Sequence, residues 1–354
     1  MNKNNRPYGP RTLKSQFSKL ETIDELSRLI LGNMTRWNQS KHSRQSDLET
    51  MLLNSMEVNS CPFCQSSAIV KDGRQKSGTR RYRCKSCSKR FSPLTGTLLD
   101  SHKIPFAEWI EFCIHLFQFQ SLSVSAIDNR NAYSTGRYWL KKIFLCLEDY
   151  QEKMMLEGKV YIDETYLSVM PKDLKRKDEK RLRGLSGNKL CIVTATDGAH
   201  TFLAYIGNGK PSAKRLIGGL KGHIRPGAPI IDDGEKSHCA LCFELGSERK
   251  SYPSSVTKGL PDGKNPLDPV NKVHRFFKRF MRSHGGYERN DIQGWCNLFS
   301  FIWNHHGNLP ETIYDIMRLV LNYKETLRYR DVFSKKVIEK QILHHLCANQ
   351  HFSK

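Results

Sequence analysis

The sequence has little that would place it in a membrane. No stretch approaches the run of about 18 apolar residues that a spanning helix needs. The N-terminal residues MNKNNRPYGPRTLKSQ lack the apolar core of a secretory signal peptide. Most of the cysteines show no disulfide-like spacing, as is usual for proteins of a reducing compartment. The sequence has no glycine-rich segment of the kind that binds nucleotide phosphates, so ATP is not implied. These absences predict a cytoplasmic protein without a membrane segment.

Acidic residues are also comparatively few. The 354 residues contain 57 Lys plus Arg against 35 Asp plus Glu, which leaves a formal net charge of +22 at pH 7. Such a surplus attracts polyanions and makes binding sensitive to salt. A membrane surface would satisfy the charge as well as DNA does, but without a membrane segment DNA is the favoured partner.

Four cysteines in two CxxC pairs predict a zinc ribbon. The ligands are Cys61 and Cys64 in CPFC, and Cys84 and Cys87 in CKSC. Each pair presents two thiolates to one tetrahedral ion from a tight turn, whereas four unrelated buried thiols have no reason to repeat this spacing. The basic residues in or beside the loop are Lys71, Arg74, Lys76, Arg80, Arg81, Arg83, Lys85, Lys89 and Arg90. A basic, metal-bound ribbon of this kind favours contact with nucleic acid.

The length and the changes of pattern predict several domains. They are a helical N-terminal region (1–58), the zinc ribbon (59–95), a helix-turn-helix-like domain (96–155), a catalytic domain (156–325) and a C-terminal helical tail (326–354). In the third domain, Ser134 and Thr135 suit the start of a helix that carries Arg137, Tyr138, Lys141 and Lys142. This segment is as compatible with an ordinary three-helix packing unit as with a DNA-binding helix-turn-helix.

The segment from residue 158 onward alternates in the manner of strands. KVYIDETYLSV, NKLCIVTATDG and HTFLAYIGNG read as an antiparallel meander, PSAKRLIGGLKGHI as a helix and GAPIIDDGE as a short buried strand. This β-β-β-α-β order predicts an α/β fold with a ribonuclease-H-like mixed sheet and flanking helices. In that fold the first and fourth strands are neighbours, so Asp163 would meet Asp232 or Asp233.

Paired carboxylates at the edge of a sheet suit a divalent cation. Oxygen ligands and a phosphate substrate favour two Mg²⁺ or Mn²⁺ ions, which activate the attacking oxygen and stabilise the leaving one. The simpler interpretation is that an aspartate ending a strand is a turn residue.

A third group of polar residues lies on PVNKVHRFFKRFMRSHGG. Its apolar residues follow the spacing of a helix buried along one side, namely Val273, Phe276, Phe277, Phe280 and Met281. On the other side Asn271 and His274 would face the two aspartates, while Lys278 reaches a phosphate. The alternative is a solvated basic face, which is the interpretation that we adopt for Arg275, Arg279 and Arg282.

These motifs together resemble the DDE transposases of bacterial insertion sequences that carry an N-terminal zinc ribbon. The resemblance rests on CPFC, CKSC, RFSPLTGTLLDSHKIPFAEW, YIDETY, RGLSGNKLCIVTATDG, IDDGEKSH, VNKVHRFFK and GGYERNDIQGWCNLFSFIWN. It implies a bacterial, DNA-associated enzyme that performs metal-dependent cleavage of transposon ends and joins the freed 3′ hydroxyls to target DNA. It also implies double-stranded DNA as the partner, and at least a dimer that holds two ends. Asp163 would be the first metal ligand and Asp233 the second.

The sequence departs from the usual pattern at the third position, where a glutamate is common. Asn271, seven residues before Lys278, is the first candidate for this position and His274 the second. Either side chain is neutral as a ligand, so one ion would be held more weakly, with Glu164 or Glu235 assisting. The alternative functions are a DNA-binding regulator or domesticated relic without chemistry, and a nuclease that cuts without joining.

Overall fold

A computed structural model describes residues 25–36, 46–100, 104–129, 131–177, 180–261, 263–284 and 287–333. They form two compact units: the first includes described residues up to 146 and those of 307–333, and the second those of 147–306. The five predicted domains, by contrast, are each contiguous, and their boundaries stay a prediction. Residues 1–24 of the predicted helical region and 334–354 of the predicted tail lie outside the described residues.

The secondary structure follows the predicted alternation of helical and strand segments. The strands are, in chain order, β1 Ile69–Arg74, β2 Arg80–Cys84, β3 Arg90–Phe91, β4 Val160–Ser168, β5 Arg176–Lys177, β6 Lys180–Arg181, β7 Lys189–Thr196, β8 Thr201–Asn208, β9 Ile230–Asp232 and β10 Arg249–Ser251. The helices are α1 Glu25–Arg36, α2 Asp47–Ser55, α3 Phe106–Phe117, α4 Leu122–Asp128, α5 Tyr133–Cys146, α6 Ala213–Leu220, α7 Lys236–Leu245, α8 Ser254–Thr257, α9 Asp268–Ser283, α10 Ile292–Asn304, α11 Leu309–Asn322 and α12 Tyr329–Phe333.

The first unit joins a small ribbon sheet to a group of helices. β1, β2 and β3 form an antiparallel sheet in the order β1-β2-β3. Tyr82 pairs with Phe91 across β2 and β3, and their rings stack with centroids 5.7 Å apart. These two aromatic side chains form the ribbon core together with Cys61 and Cys84. Because they are buried, Tyr82 and Phe91 do not belong to the basic surface around them.

The helical part of the first unit has α3 at its centre. Ten of the twelve α3 residues are buried, and α1, α4 and α11 pack against it. Trp109 of α3 and Trp139 of α5 lie with ring centroids 5.4 Å apart. Gly136 allows α5 to approach α4, because a Cβ there would lie 3.2 Å from that of Ala126. The α4–α5 pair thus occupies the place of the predicted helix-turn-helix, and DNA binding by this pair stays a prediction.

The second unit contains a mixed five-stranded sheet in the order β10-β9-β4-β7-β8. β4, β7 and β8 are antiparallel neighbours, whereas β9 runs parallel to β4 and β10 parallel to β9. The predicted mixed sheet with flanking helices is therefore confirmed. The first strand of this unit, β4, lies at the centre of the sheet and contacts β9, as the predicted topology requires.

The two faces of this sheet bear different helices. Alternate residues of β4 and β9, such as Val160, Ile162 and Ile230, form a core with α6 and α7. The residues between them belong to the other face, where Tyr161 and Ile231 contact the beginning of α9. α9 buries the predicted apolar side, except that Phe276 is half-buried. Within the described parts of the chain, no helix is both long and apolar enough to cross a bilayer.

Candidate zinc centre and active site

The four predicted zinc ligands converge in the ribbon. The Sγ atoms of Cys61 and Cys87 are 3.7 Å apart, those of Cys64 and Cys84 are 3.6 Å apart, and all four lie within 4.8 Å of one another. A tetrahedral zinc ion with Zn–S bonds of about 2.3 Å has ligand sulfurs about 3.8 Å apart. The donor set and its spacing therefore fit a structural Zn²⁺ ion.

Tight turns hold each cysteine pair in this arrangement. Gln65, which follows the first pair, has φ 62°, and Ser88, which follows the second pair, has φ 60°. The Gln65 N–H donates to the Cys61 carbonyl at 2.9 Å, which closes the first turn. The backbone N–H of Cys87 lowers the pKa of the Cys84 thiol to about 6. The turn thus favours the thiolate form of Cys84, which is the form that binds zinc.

The ribbon surface around the zinc ligands is strongly basic. The exposed cations are Lys71, Arg74, Lys76, Arg83, Lys85, Lys89 and Arg90. Phe63, inside the CPFC motif, is 47% exposed and lies under the Lys89 ammonium, which is 4.6 Å from the ring centroid. Sequence reasoning missed this exposed aromatic ring. Asp72 pairs with Arg90 at 2.7 Å, so one cation of the surface is locally neutralised.

In the second unit, two neighbouring parallel strands place acidic side chains close together. β4 and β9 pair through Tyr161 and Ile231. Asp163 and Asp233 each lie two residues beyond these partners, Asp163 within β4 and Asp233 just after the end of β9. Residues two apart share a face, and Tyr161 and Ile231 both pack with Val270 of α9. Asp163 faces the α9 side of the sheet and is 21% exposed. Asp233, which follows the end of β9, is 41% exposed, and its Oδ1 lies 3.9 Å from Nδ1 of His238 in α7.

Helix α9 brings an imidazole to the first of these acids. His274 is buried, and its Nδ1 lies 3.4 Å from Oδ2 of Asp163. Its Nε2 is buried without a hydrogen-bond partner among the described residues. Asn271, one turn earlier, is exposed, and Lys278, one turn later, is half-buried. His274 thus contacts Asp163 from α9, and the roles of Asn271, His274 and Lys278 stay a prediction.

Asp232, the alternative second acid, is fully buried and already satisfied. The Arg249 guanidinium donates to both carboxylate oxygens, at 2.6 and 3.1 Å, and the Gly234 N–H donates to Oδ1 at 2.8 Å. Burial alone would raise the pKa of Asp232, but the hydrogen bonds from His238, Arg249 and Gly234 outweigh it and hold the pKa well below its usual value. Asp233, by contrast, is 41% exposed.

His238 links Asp232 to Glu164 of the neighbouring strand β4. Its Nδ1 is 3.3 Å from Oδ2 of Asp232, and its Nε2 is 2.9 Å from Oε1 of Glu164. Burial disfavours the imidazolium, yet the two carboxylates outweigh burial and raise the pKa of His238 to about 10. Sequence reasoning missed His238 and Arg249, although His238 stands within the quoted motif IDDGEKSH.

Glu235, predicted to assist metal binding, begins α7. Its Oε2 pairs with Nζ of Lys210 at 2.9 Å, and its Oε1 accepts the Lys236 N–H at 2.9 Å. Lys210 lowers the pKa of Glu235 against the opposing effect of burial. The carboxylate is thus ionised and already has a cationic partner beside the Asp233 turn.

The zinc ribbon matches a known protein family. Residues 55–88 match the family model of the InsA N-terminal domain, a zinc ribbon. The chain is also similar to an uncharacterised protein in transposable element ISH50 of Halobacterium salinarum, with 27% identity over 128 residues. That alignment covers 36% of this chain and 42% of the relative's length. The matches confirm the zinc ribbon and the resemblance to insertion-sequence proteins.

Proposed function

We propose that this chain is an insertion-sequence transposase of the DDE type, which binds transposon-end DNA and performs metal-dependent strand cleavage and strand transfer. The observation that supports the proposal is the parallel pairing of β4, which carries Asp163, with β9, which ends just before Asp233, together with the contact between His274 of α9 and Asp163. The ribbon match and the insertion-sequence relative support the same class.

A ribonuclease-H-like fold for the second unit is part of this proposal. Three antiparallel strands are followed by a helix and then by a strand parallel to the first, and the sheet order puts that strand beside the first. This is the arrangement on which the sequence prediction relied. Asp163 on β4 and Asp233 directly after β9 are proposed to meet at the same end of the sheet.

The residues proposed to hold divalent cations suit Mg²⁺ or Mn²⁺. Asp163 and Asp233 offer carboxylate oxygens and are partly exposed, and among the described residues no arginine pairs with either as Arg249 does with Asp232. Asn271 and His274 are the two candidates for the third group, and the 3.4 Å contact to Asp163 favours His274. When bound, two such ions activate the attacking oxygen and stabilise the leaving oxygen in phosphoryl transfer.

The protein's own groups are proposed to position the DNA. The exposed cations of the ribbon neutralise phosphates, and Phe63 adds an apolar contact beside them. Lys278, half-buried on α9 one turn beyond His274, is proposed to contact a phosphate next to the reacting bond. A dimer that holds two transposon ends also belongs to the proposal.

The test uses DNA fragments that end in the inverted repeats flanking the gene, with Mg²⁺ or Mn²⁺. Asp163→Asn and Asp233→Asn are expected to abolish both cleavage and joining while DNA binding persists. Asp197→Asn is the matched control, because Asp197 follows β7 and accepts the backbone N–H groups of Ala199 and His200 as a turn residue. This variant should cut and join like the wild type.

Each other outcome identifies an alternative. Binding without metal-dependent cleavage would overturn the proposal in favour of a DNA-binding regulator or relic, and cleavage without a joined product would favour a nuclease. Asn271→Ala and His274→Ala then decide the third position: the variant that raises the Mn²⁺ concentration needed for half-maximal joining identifies the group.

A further inference from the structure

A buried network of charged groups lies next to the proposed metal ligands. Glu164 follows Asp163 on β4 and lies on the face that packs against α6 and α7, and Asp232, the last residue of β9, precedes Asp233. His238 of α7 has no exposed surface and contacts both inner acids, Glu164 at 2.9 Å and Asp232 at 3.3 Å.

The contacts of His238 with Glu164 and Asp232 join β4 to β9 at a particular position along the two strands. The paired residues of β4 and β9 are Val160 with Ile230 and Tyr161 with Ile231. Glu164 lies three residues beyond Tyr161, so the imidazole joins the strands past their last backbone pair. A shift of Glu164 or Asp232 also moves the neighbouring aspartate, because the two share a peptide unit.

The network is closed to an ion of its own. Asp232, Asp233 and His238 have ligand atoms close enough for a metal. Both oxygens of Asp232, however, accept hydrogen bonds from Arg249, and both imidazole nitrogens face carboxylates. The negative charges of Glu164 and Asp232 balance the positive charges of His238 and Arg249. An additional cation would upset this balance. The cluster is therefore better suited to fix the positions of β4 and β9 than to bind a metal ion.

We propose that His238 is a positioning residue that ties Glu164 to Asp232 and thereby sets the separation of Asp163 and Asp233. The inference rests on the proposed function, in which Asp163 and Asp233 hold divalent cations. His238 itself binds neither DNA nor metal; it fixes the two strands at the point where their backbone pairing has ended.

The direct test is Mn²⁺ binding to the full-length chain after zinc loading, measured by calorimetry and electron paramagnetic resonance. His238→Gln keeps a hydrogen-bonding amide but cannot reach both acids, and we expect it to weaken Mn²⁺ binding by about 10-fold or more, the range found when partners of metal ligands are removed. His223→Gln is the matched control, since His223 is half-buried in the same unit and contacts the Met154 carbonyl. Its Mn²⁺ affinity should equal that of the wild type.

Two further variants separate positioning from loss of fold. Glu164→Gln preserves the acceptor and the volume but weakens the bond, so a smaller loss in the same direction is expected. The double variant Glu164→Gln/His238→Gln restores the charge balance, and its affinity should lie closer to the wild type than that of His238→Gln alone. Circular dichroism measures the folded fraction, and if His238→Gln does not fold, the Mn²⁺ affinity of Glu164→Gln decides between the two roles.

The two possible failures are distinct. If Asp163→Asn and Asp233→Asn leave Mn²⁺ binding unchanged, the proposed metal site itself is wrong. If those variants abolish binding while His238→Gln and Glu164→Gln bind Mn²⁺ as the wild type does, the positioning role is overturned and the proposed function stands.

Discussion

Replacing Arg249 by methionine tests how strongly the buried charges hold the second unit together. The change removes the Nε bond of 2.6 Å and the Nη2 bond of 3.1 Å to Asp232, a side chain with no exposed surface. Removing one partner of a buried ion pair typically lowers the free energy of unfolding by about 3–5 kcal/mol. Because Arg249 is itself 21% exposed, and Asp232 keeps the Gly234 hydrogen bond and the 3.3 Å charge contact with His238, we expect a loss near the lower end, about 3 kcal/mol.

The matched control is Arg225→Met. Arg225 pairs with Glu157 at 3.1 Å, but both side chains are mostly exposed, at 63% and 59%. Water screens such a pair, so the loss should stay within about 1 kcal/mol. Urea denaturation measures both variants, and hydrogen exchange of peptides from residues 147–306 assigns the change to the second unit. Equal losses for the two variants, or a loss below about 1 kcal/mol for Arg249→Met, would refute the reasoning.

The pH dependence of this pair has a definite sign. Hydrogen bonds hold the pKa of Asp232 below its ordinary value of 3.8. The folded state therefore binds fewer protons than the unfolded state in this range, and the contribution is present above pH 3.8 and lost as the pH falls below it. Arg249→Met should reduce the difference in stability between pH 6 and pH 3.

Three other predictions concern the ribbon and two buried titratable groups. Cys84→Ser should abolish the binding of about one zinc ion per chain and weaken DNA binding, whereas exposed Cys239→Ser should do neither; retained zinc in Cys84→Ser would contradict the site. Burial raises the pKa of Glu49 from 4.5 to about 7, so the folded state loses stability as the pH rises through this interval. Glu49→Gln should therefore stabilise the first unit at pH 8 by on the order of 2 kcal/mol and hardly at pH 5, and equal urea midpoints at pH 8 would contradict this. Burial lowers the pKa of His284 from 6.5 to about 4, so folding loses stability as the pH falls through this window. His284→Phe should reduce that loss, which thermal unfolding at pH 7 and pH 5 measures; an unchanged acid loss would argue against the buried neutral imidazole.

Much of the fold followed from local patterns. The alternating segments around Asp163 and before Asp232 became strands, and the apolar spacing of α9 was correct for Val273 and Phe277. Phe276 is half-buried because it lies at the margin of the buried stripe. These features were predictable because side-chain periodicity and burial of one face act over only a few residues. The predicted site residues themselves stay a prediction.

The zinc centre was determined by the sequence alone, since each CxxC pair binds from one turn and Cys61 needs only a short hairpin to meet Cys84. The burial of Asp232 beside Arg249, the contact of His274 with Asp163 and the bridge through His238 were decided by the tertiary structure. Strand order and the packing of helices on the two faces put Asp163 next to His274 of α9 and Asp232 next to Arg249 of β10. Such pairings depend on which strands become neighbours and on which helix covers each face, and these relations are not contained in the spacing of residues along the chain.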